Sequence, residues 1–147
     1  MKLFLQIVVV FIFINYVSCR KPVKGCTDVF SENFNVDADE DDGSCSYRGS
    51  AVFYHNQQTS QNLIAAGVTN VKLFVNDVFF DAMSPNIYFS IEPTCSHSDA
   101  MLINNYGTGN EKNKSFNYKI KDQNNVVLAS GIFQILANKC NAIKYSY

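Results

Sequence analysis

The side chains with the greatest capacity for chemistry lie in one acidic segment. Between Cys26 and Cys45 the chain carries seven carboxylates and no lysine or arginine. Ca²⁺ prefers oxygen ligands, and the candidate ligands are Asp37, Asp39, Asp41 and Asp42. An EF-hand loop begun at Asp37 would place Asp42 where glycine is needed and Arg48 where a bidentate acid is needed. The spacing therefore excludes an EF-hand and leaves another carboxylate cage for Ca²⁺ or a solvated acidic loop.

Side chains that could catalyse a reaction are few. The two histidines, His55 and His97, are 42 residues apart. The segment CSHSD at 95–99 contains Ser, His and Asp, but neighbours in one loop cannot aim at one another as triad members do. Zinc binding by Cys95 and His97 would require a thiolate, which a disulfide removes. We therefore expect no catalytic residues and a protein that is not an enzyme.

Four lysines follow one another closely in the second half of the chain, at positions 112, 114, 119 and 121. They could contact an anionic polysaccharide or lipid, or they could form the solvated face or protected edge of a strand. The pattern favours the second alternative. The formal net charge of −1 gives no reason to expect a nucleic acid partner.

The N-terminal residues predict export. A lysine at position 2 precedes an apolar run from Leu3 to Ile14, too short for a comfortable membrane span, so residues 1–18 are predicted to be a signal peptide. The following YVSC resembles a bacterial lipobox, which predicts that Cys19 is acylated and holds the protein at a membrane. The alternative is ordinary cleavage near Ser18 with a free or intermolecular Cys19.

Cysteine arithmetic supports the lipid assignment. Five cysteines leave one unpaired in an exported protein, and acylation of Cys19 removes that surplus. The other four allow three pairings, of which their order and the composition favour Cys26 with Cys45 and Cys95 with Cys140. Loops of these lengths would stabilise the fold by about 3 and 4 kcal/mol on the chain-entropy model.

Composition divides the exported chain into three predicted parts. Residues 19–24 form a short basic tether, residues 25–47 form a small acidic module bracketed by cysteines, and residues 50–147 form the main domain. The sign of the charge changes between the second and third parts, and Gly49 lies at the boundary.

The main domain is predicted to be all-β. Polar turns separate short runs rich in Val, Ile, Phe and Tyr, at 51–56, 71–75, 78–83, 86–91, 100–104, 116–121, 126–136 and 140–147. Asn76-Asp77 predicts a two-residue hairpin turn, residues 105–110 a turn cluster, and residues 57–66 the one short helix. These elements predict an antiparallel β-sandwich of immunoglobulin-like size.

Two segments resemble known modules. GCTDVFSENFNVDADEDDGSCSY at 25–47 resembles the "GCTD…NYN…DDGSC" disulfide module of secreted and lipid-anchored proteins from Gram-negative environmental bacteria. The main domain resembles a companion module through VKLFVND, PTC, SFNYKIKDQN, SGIFQIL and NKCNAIKY, in that order. The resemblance implies an envelope protein with a β-sandwich bridged by Cys95 and Cys140. It implies no defined activity.

These observations predict a non-enzymatic cell-envelope lipoprotein that presents a disulfide-stabilised β-sandwich for binding or structural purposes. The alternative is a secreted carbohydrate-binding or adhesion module without lipid. Arg20 and Lys21, rather than acids, follow Cys19, which favours the periplasmic face of the outer membrane over the cell surface. Apart from the calcium candidate we expect no cofactor. The protein or polysaccharide partner is not identified by the sequence.

Overall fold

The computed structural model describes residues 20–147. The predicted signal peptide at 1–18 and the predicted lipidation site Cys19 lie outside the described residues. Within residues 20–147, no helix is both long enough and apolar enough to span a membrane.

The regular structure of the described chain consists of strands and one short helix, which confirms the all-β class. The elements in order are β1 Lys24–Gly25, β2 Glu40–Asp41, β3 Tyr47–Tyr54, α1 Gln57–Ala65, β4 Val71–Val75, β5 Val78–Met83, β6 Met101–Gly109, β7 Asn113–Lys121, β8 Val127–Leu136 and β9 Cys140–Lys144. Strand β3 begins at Tyr47, so it continues across the boundary predicted from the change in charge.

Two sheets pack face to face as the predicted sandwich. One has the strand order β6-β3-β9 and the other the order β5-β4-β7-β8. Within the two sheets every pairing is antiparallel except that of β3 with β9, which is parallel and runs from Ser50–Cys140 to Tyr54–Lys144. A parallel pair needs a long connection between its strands, and here nearly the whole domain provides that connection.

The core between the sheets is aromatic and aliphatic. Phe53 of β3 is fully buried, with its ring centroid 5.1 Å from that of Tyr118 in β7 and 5.0 Å from that of Phe133 in β8. Both contacts have the edge-to-face geometry that aromatic pairs prefer. Alternate residues of β4 and β7, beginning with Val71 and Phe116, are buried in the same core. The period-two pattern of the sequence therefore selects the inner face of each strand.

Local signals predicted two connecting elements correctly. Helix α1 occupies most of the predicted 57–66 segment, and its N-cap Asn56 accepts a hydrogen bond from the backbone N–H of Thr59. The Asn76-Asp77 turn joins β4 to β5 with φ angles of 47° and 65°. Positive φ at both central residues is the geometry expected of a two-residue hairpin turn.

Two predicted boundaries are wrong. Residues 86–91 do not form a strand: the N–H of Phe89 donates to the carbonyl of His55, and the side chain of Ile91 is 82% exposed. Pro85 and Pro93 flank this run, and neither can donate to a ladder. The predicted turn at 105–110 lies mostly inside β6, where shifts in the register with β3 and a φ of 49° at Asn105 accommodate turn-type residues.

Both favoured disulfides are present. Cys26 is bonded to Cys45 within the acidic module, and Cys95 is bonded to Cys140, the first residue of β9. The first disulfide lies beside the short parallel pair β1–β2. The second fastens the irregular segment after β5 to an edge of the three-stranded sheet. Segments that make few ladder hydrogen bonds therefore acquire covalent constraints.

Candidate functional site

The four candidate calcium ligands of the acidic module do not form a shared cage. Asp39 accepts hydrogen bonds from the N–H of Val23 and from Arg20, while Asp41 and Asp42 accept bonds from backbone N–H groups two residues further along the chain. In residues 20–147, no group of three or more His, Cys, Asp or Glu side chains is placed to hold a metal ion. The geometry therefore gives no ligand set for calcium at Asp37, Asp39, Asp41 and Asp42. These bonds correspond to the solvated, turn-bonded alternative.

Another carboxylate of the acidic module, Asp28, joins the module to the sandwich. It accepts a hydrogen bond of 2.6 Å from the hydroxyl of Tyr47 and lies 2.5 Å from the ammonium of Lys112. The hydrogen bond from Lys112, followed by that from Tyr47, lowers the pKa of Asp28 to about 2. The same carboxylate raises the pKa of Tyr47 to about 12. At neutral pH Asp28 and Lys112 therefore form an ion pair, and the phenol of Tyr47 donates a hydrogen bond to the Asp28 carboxylate. This arrangement suits a structural junction.

The histidines do not form a catalytic arrangement. His55 is fully buried, with Nδ1 2.6 Å from the hydroxyl of Tyr145 and Nε2 3.2 Å from the carbonyl oxygen of Pro85. Burial lowers the pKa of His55. His97 is exposed on the 95–99 loop and packs its ring edge-on against Phe89. Cys95 is held in a disulfide and cannot supply a thiolate.

The four lysines do not form one basic patch. Three are within 3 Å of a carboxylate, Lys112 on Asp28, Lys114 on Glu111 and Lys119 on Asp77. Lys121 instead lies 4.2 Å from the centroid of the Phe74 ring, a cation–π contact. Each positive charge thus has a local partner, as the solvated-face alternative requires.

The candidate binding site is a groove on the outer face of the four-stranded sheet. It has a volume of about 490 Å³ and lies between the β4–β5 turn and strands β7 and β8. We call it the sheet groove, and the residues that line it include Asn76, Asp77, Asn117, Lys119, Ser130 and Ile132. Asn117 pairs with Ile132 and Lys119 pairs with Ser130 across the ladder, so two successive cross-strand pairs on the outer face form the floor.

The turn that forms one wall of the groove is fixed in place. The N–H of Asn76 donates to the carbonyl of Asn117, and the N–H of Asn117 donates to the side-chain oxygen of Asn76. Lys119 donates to Asp77 at 2.6 Å, and this bond lowers the pKa of Asp77. The wall therefore presents the carboxylate of Asp77 on a turn that is bonded to the floor, and Lys119 of the floor compensates its charge.

Several polar groups in the groove are available to a ligand. Within the described chain, the amide of Asn117 and the hydroxyl of Ser130 make no hydrogen bond to another residue, and both side chains are exposed. Ile132 beside them is an apolar side chain that is 71% exposed. The arrangement combines donors, acceptors and one apolar surface at a single place.

Sequence patterns did not predict this groove. Its residues come from two strands and one turn, and the registers of β4 with β7 and of β7 with β8 bring them together. The available signal was the alternation after Phe116, which predicted polar side chains on the outer face of β7. Alternation gives the face of a strand but not its neighbour.

Comparisons of the chain with protein-family models, with curated proteins and with solved structures found no match.

Proposed function

We propose that the protein is a non-enzymatic cell-envelope lipoprotein that presents its disulfide-bonded β-sandwich as a binding surface. The observation that carries the binding role is the sheet groove, where an exposed isoleucine and polar groups without a hydrogen-bond partner in residues 20–147 lie on a fixed floor. Sites on strands are positioned more exactly than sites on loops. The proposal requires no titratable group to act on a substrate.

The anchoring role rests on the sequence of residues 1–19, and the geometry that follows it is compatible with a short anchor. Arg20 lies 3.2 Å from Asp39, and the N–H of Val23 donates to the same carboxylate at 3.0 Å, so the chain contacts the acidic module within a few residues of Cys19. The module is in turn joined to the sandwich by Asp28 with Lys112 and by Glu32 with Arg48 at 2.7 Å. An acyl group on Cys19 would therefore hold the module close to the membrane surface, with little free tether between them.

The second candidate is a secreted carbohydrate-binding or adhesion module without lipid. The same groove supports it, because saccharide hydroxyls need the mixed donors and acceptors found there. The two candidates share a binding surface and differ in the fate of Cys19.

Intact-mass measurement and detergent partitioning of the protein made in its own host separate the two candidates. The lipoprotein should begin at Cys19, carry the mass of several acyl chains and enter the detergent phase. Cys19→Ala should lose that mass and stay in the aqueous phase, whereas Ser18→Ala, which keeps a small residue before the cysteine, should behave as the wild type does. A wild-type chain without acyl mass that begins after Cys19 would end the lipoprotein proposal.

A further inference from the structure

We infer that the sheet groove binds a neutral saccharide chain, a step that rests on the proposed binding role and names its ligand class. Two side chains face the groove without a hydrogen-bond partner in the described chain. The amide of Asn117 offers donors and an acceptor, and the hydroxyl of Ser130 offers one donor and two lone pairs. A sugar hydroxyl is also both a donor and an acceptor, so it can bond to either group in more than one orientation.

The ion pair in the wall of the groove suits vicinal hydroxyls. Asp77 and Lys119 are 2.6 Å apart, which places a charged acceptor next to a charged donor at the rim of the cavity. Of two adjacent hydroxyls on a sugar ring, one can donate to the carboxylate while the other accepts from the ammonium. Hydrogen bonds to charged groups are the stronger kind. The pair therefore provides orientation as well as affinity.

Charge compensation favours a neutral ligand over an anionic one. Lys119 is already neutralised by Asp77, and the nearby Lys121 lies over the Phe74 ring. Lys72 on the same sheet donates to the carbonyl of Gln123 and to Asn125. An anionic polymer would have to displace one of these contacts, whereas a neutral chain need not.

An apolar surface for the C–H faces of sugar rings is also present. Ile132 lies on the floor of the groove with 71% of its surface exposed. Three strands away, Phe79 of β5 is 53% exposed, and a continuous cross-strand row links Phe79 through Phe74 and Lys119 to Ser130. The row crosses four strands, about 14 Å at the usual strand spacing. This length fits an oligosaccharide better than a single sugar.

A peptide strand is a less suitable occupant. Strand addition needs the unpaired N–H and C=O groups of a sheet edge. The floor of the groove is instead formed between β7 and β8, where the backbone groups that face each other are engaged in the ladder, and the open edge of β8 points away from β7. A ligand in the groove would therefore contact side chains and would not pair with backbone N–H and C=O groups as an added strand does.

Titration calorimetry tests the inference with the full-length protein, processed by its own host and kept in detergent micelles. The neutral probes are hexasaccharides of β-1,4-glucan, β-1,3-glucan, α-1,4-glucan and mannan, and the anionic probes are oligogalacturonate and hyaluronate. At least one neutral probe should bind, with an affinity that changes little between 50 and 500 mM salt. Binding of no neutral probe would overturn the inference, as would a preference for the anionic probes that salt abolishes.

Two double variants on the same strands locate the binding site. Asn117→Ala with Ser130→Ala removes groove groups that make no bond within the described chain, and it should weaken binding about tenfold while the fold is retained. Ser115→Ala with Gln134→Ala alters the next outward-facing cross-strand pair on the same face and should change affinity less than twofold. Equal weakening by both variants would overturn the assignment to the groove.

The outcomes distinguish this inference from the proposed function. An acylated protein that binds no neutral probe keeps its envelope role and loses the ligand class. A protein without lipid that binds a neutral probe through Asn117 and Ser130 keeps the ligand class and loses the anchor.

Discussion

The buried histidine makes the stability of the fold depend on pH in a direction that the structure determines. A carbonyl oxygen can only accept, so Nε2 of His55 must be the ring nitrogen that donates to Pro85. Nδ1 is then the acceptor of a 2.6 Å hydrogen bond that the Tyr145 hydroxyl donates. Burial raises the pKa of Tyr145, so this hydroxyl remains a donor. The folded protein therefore holds His55 as the neutral tautomer with both nitrogens satisfied.

Protonation of Nδ1 would reverse that hydrogen bond, because the ring would then donate to the Tyr145 oxygen, and it would place a charge inside the protein. Burial lowers the pKa of His55 below its ordinary value of 6.5. Stability is therefore complete above pH 6.5 and is lost as the pH falls from 6.5 through the pKa of the folded state. Because one proton is involved, the loss cannot exceed about 1.4 kcal/mol per pH unit. We expect the free energy of unfolding to fall by up to about 1.4 kcal/mol between pH 7.5 and 5.5.

Urea unfolding at each pH, with the disulfides intact, measures this loss. The chain contains no tryptophan, so tyrosine fluorescence and circular dichroism are suitable signals. His55→Gln should flatten the dependence between pH 7.5 and 5.5, while His97→Gln, a change at the exposed histidine, should leave it unchanged. Tyr145→Phe leaves the buried Nδ1 without a donor and should cost about 1–3 kcal/mol at pH 7.5.

If the free energy of unfolding of His55→Gln changed with pH as that of the wild type does, the assignment of the pH dependence to this ring would be refuted. If that variant does not fold, NMR titration of the wild-type imidazole gives the same information. A His55 signal that titrates at or above pH 6.5 would contradict the neutral buried tautomer.

Two further predictions concern the constraints on the sandwich. Gly49→Ala would place a methyl group 2.8 Å from Cγ2 of Ile135 and against the backbone of the next residue, so it should cost about 3 kcal/mol, whereas Gly107→Ala meets no atom within 4 Å and is the matched control. A urea midpoint equal to that of the control would contradict this close approach. Replacing Cys95 and Cys140 together by alanine opens a loop of 45 residues and should cost about 4 kcal/mol. A midpoint unchanged from that of the wild type would show that the disulfide does not constrain the unfolded chain.

Local patterns predicted the elements whose causes are local. Residues 71–75 and 116–121 place an apolar residue at every second position and became strands with those faces inward. Asn76-Asp77 tolerates positive φ and became the hairpin turn. In each case the residues that specify the conformation lie within the element itself.

Elements that depend on distant partners were not predictable in the same way. Residues 86–91 have the composition of a strand, but they pair with none of the strands in residues 20–147, and Phe89 bonds instead to the carbonyl of His55. The parallel pairing of β3 with β9 joins residues about 90 positions apart, for example Ser50 with Cys140. Apolar periodicity contains no information about which strand lies beside which.

The sheet groove follows from the same physical reasoning. Alternation alone places Asn117 and Lys119 on an outer face, but it equally describes an ordinary solvated strand. What makes the position distinctive is the register that sets Ser130 and Ile132 opposite these residues, together with the turn whose Asn76 is bonded to Asn117. A shift of one residue in the pairing of β7 with β8 would turn Ser130 and Ile132 toward the core and abolish the groove. The packing of Phe133 against Phe53 excludes that shift, because a one-residue shift would turn Phe133 toward solvent. The hydrophobic core contacts no ligand in the groove. It nevertheless fixes the β7–β8 register on which the binding surface depends.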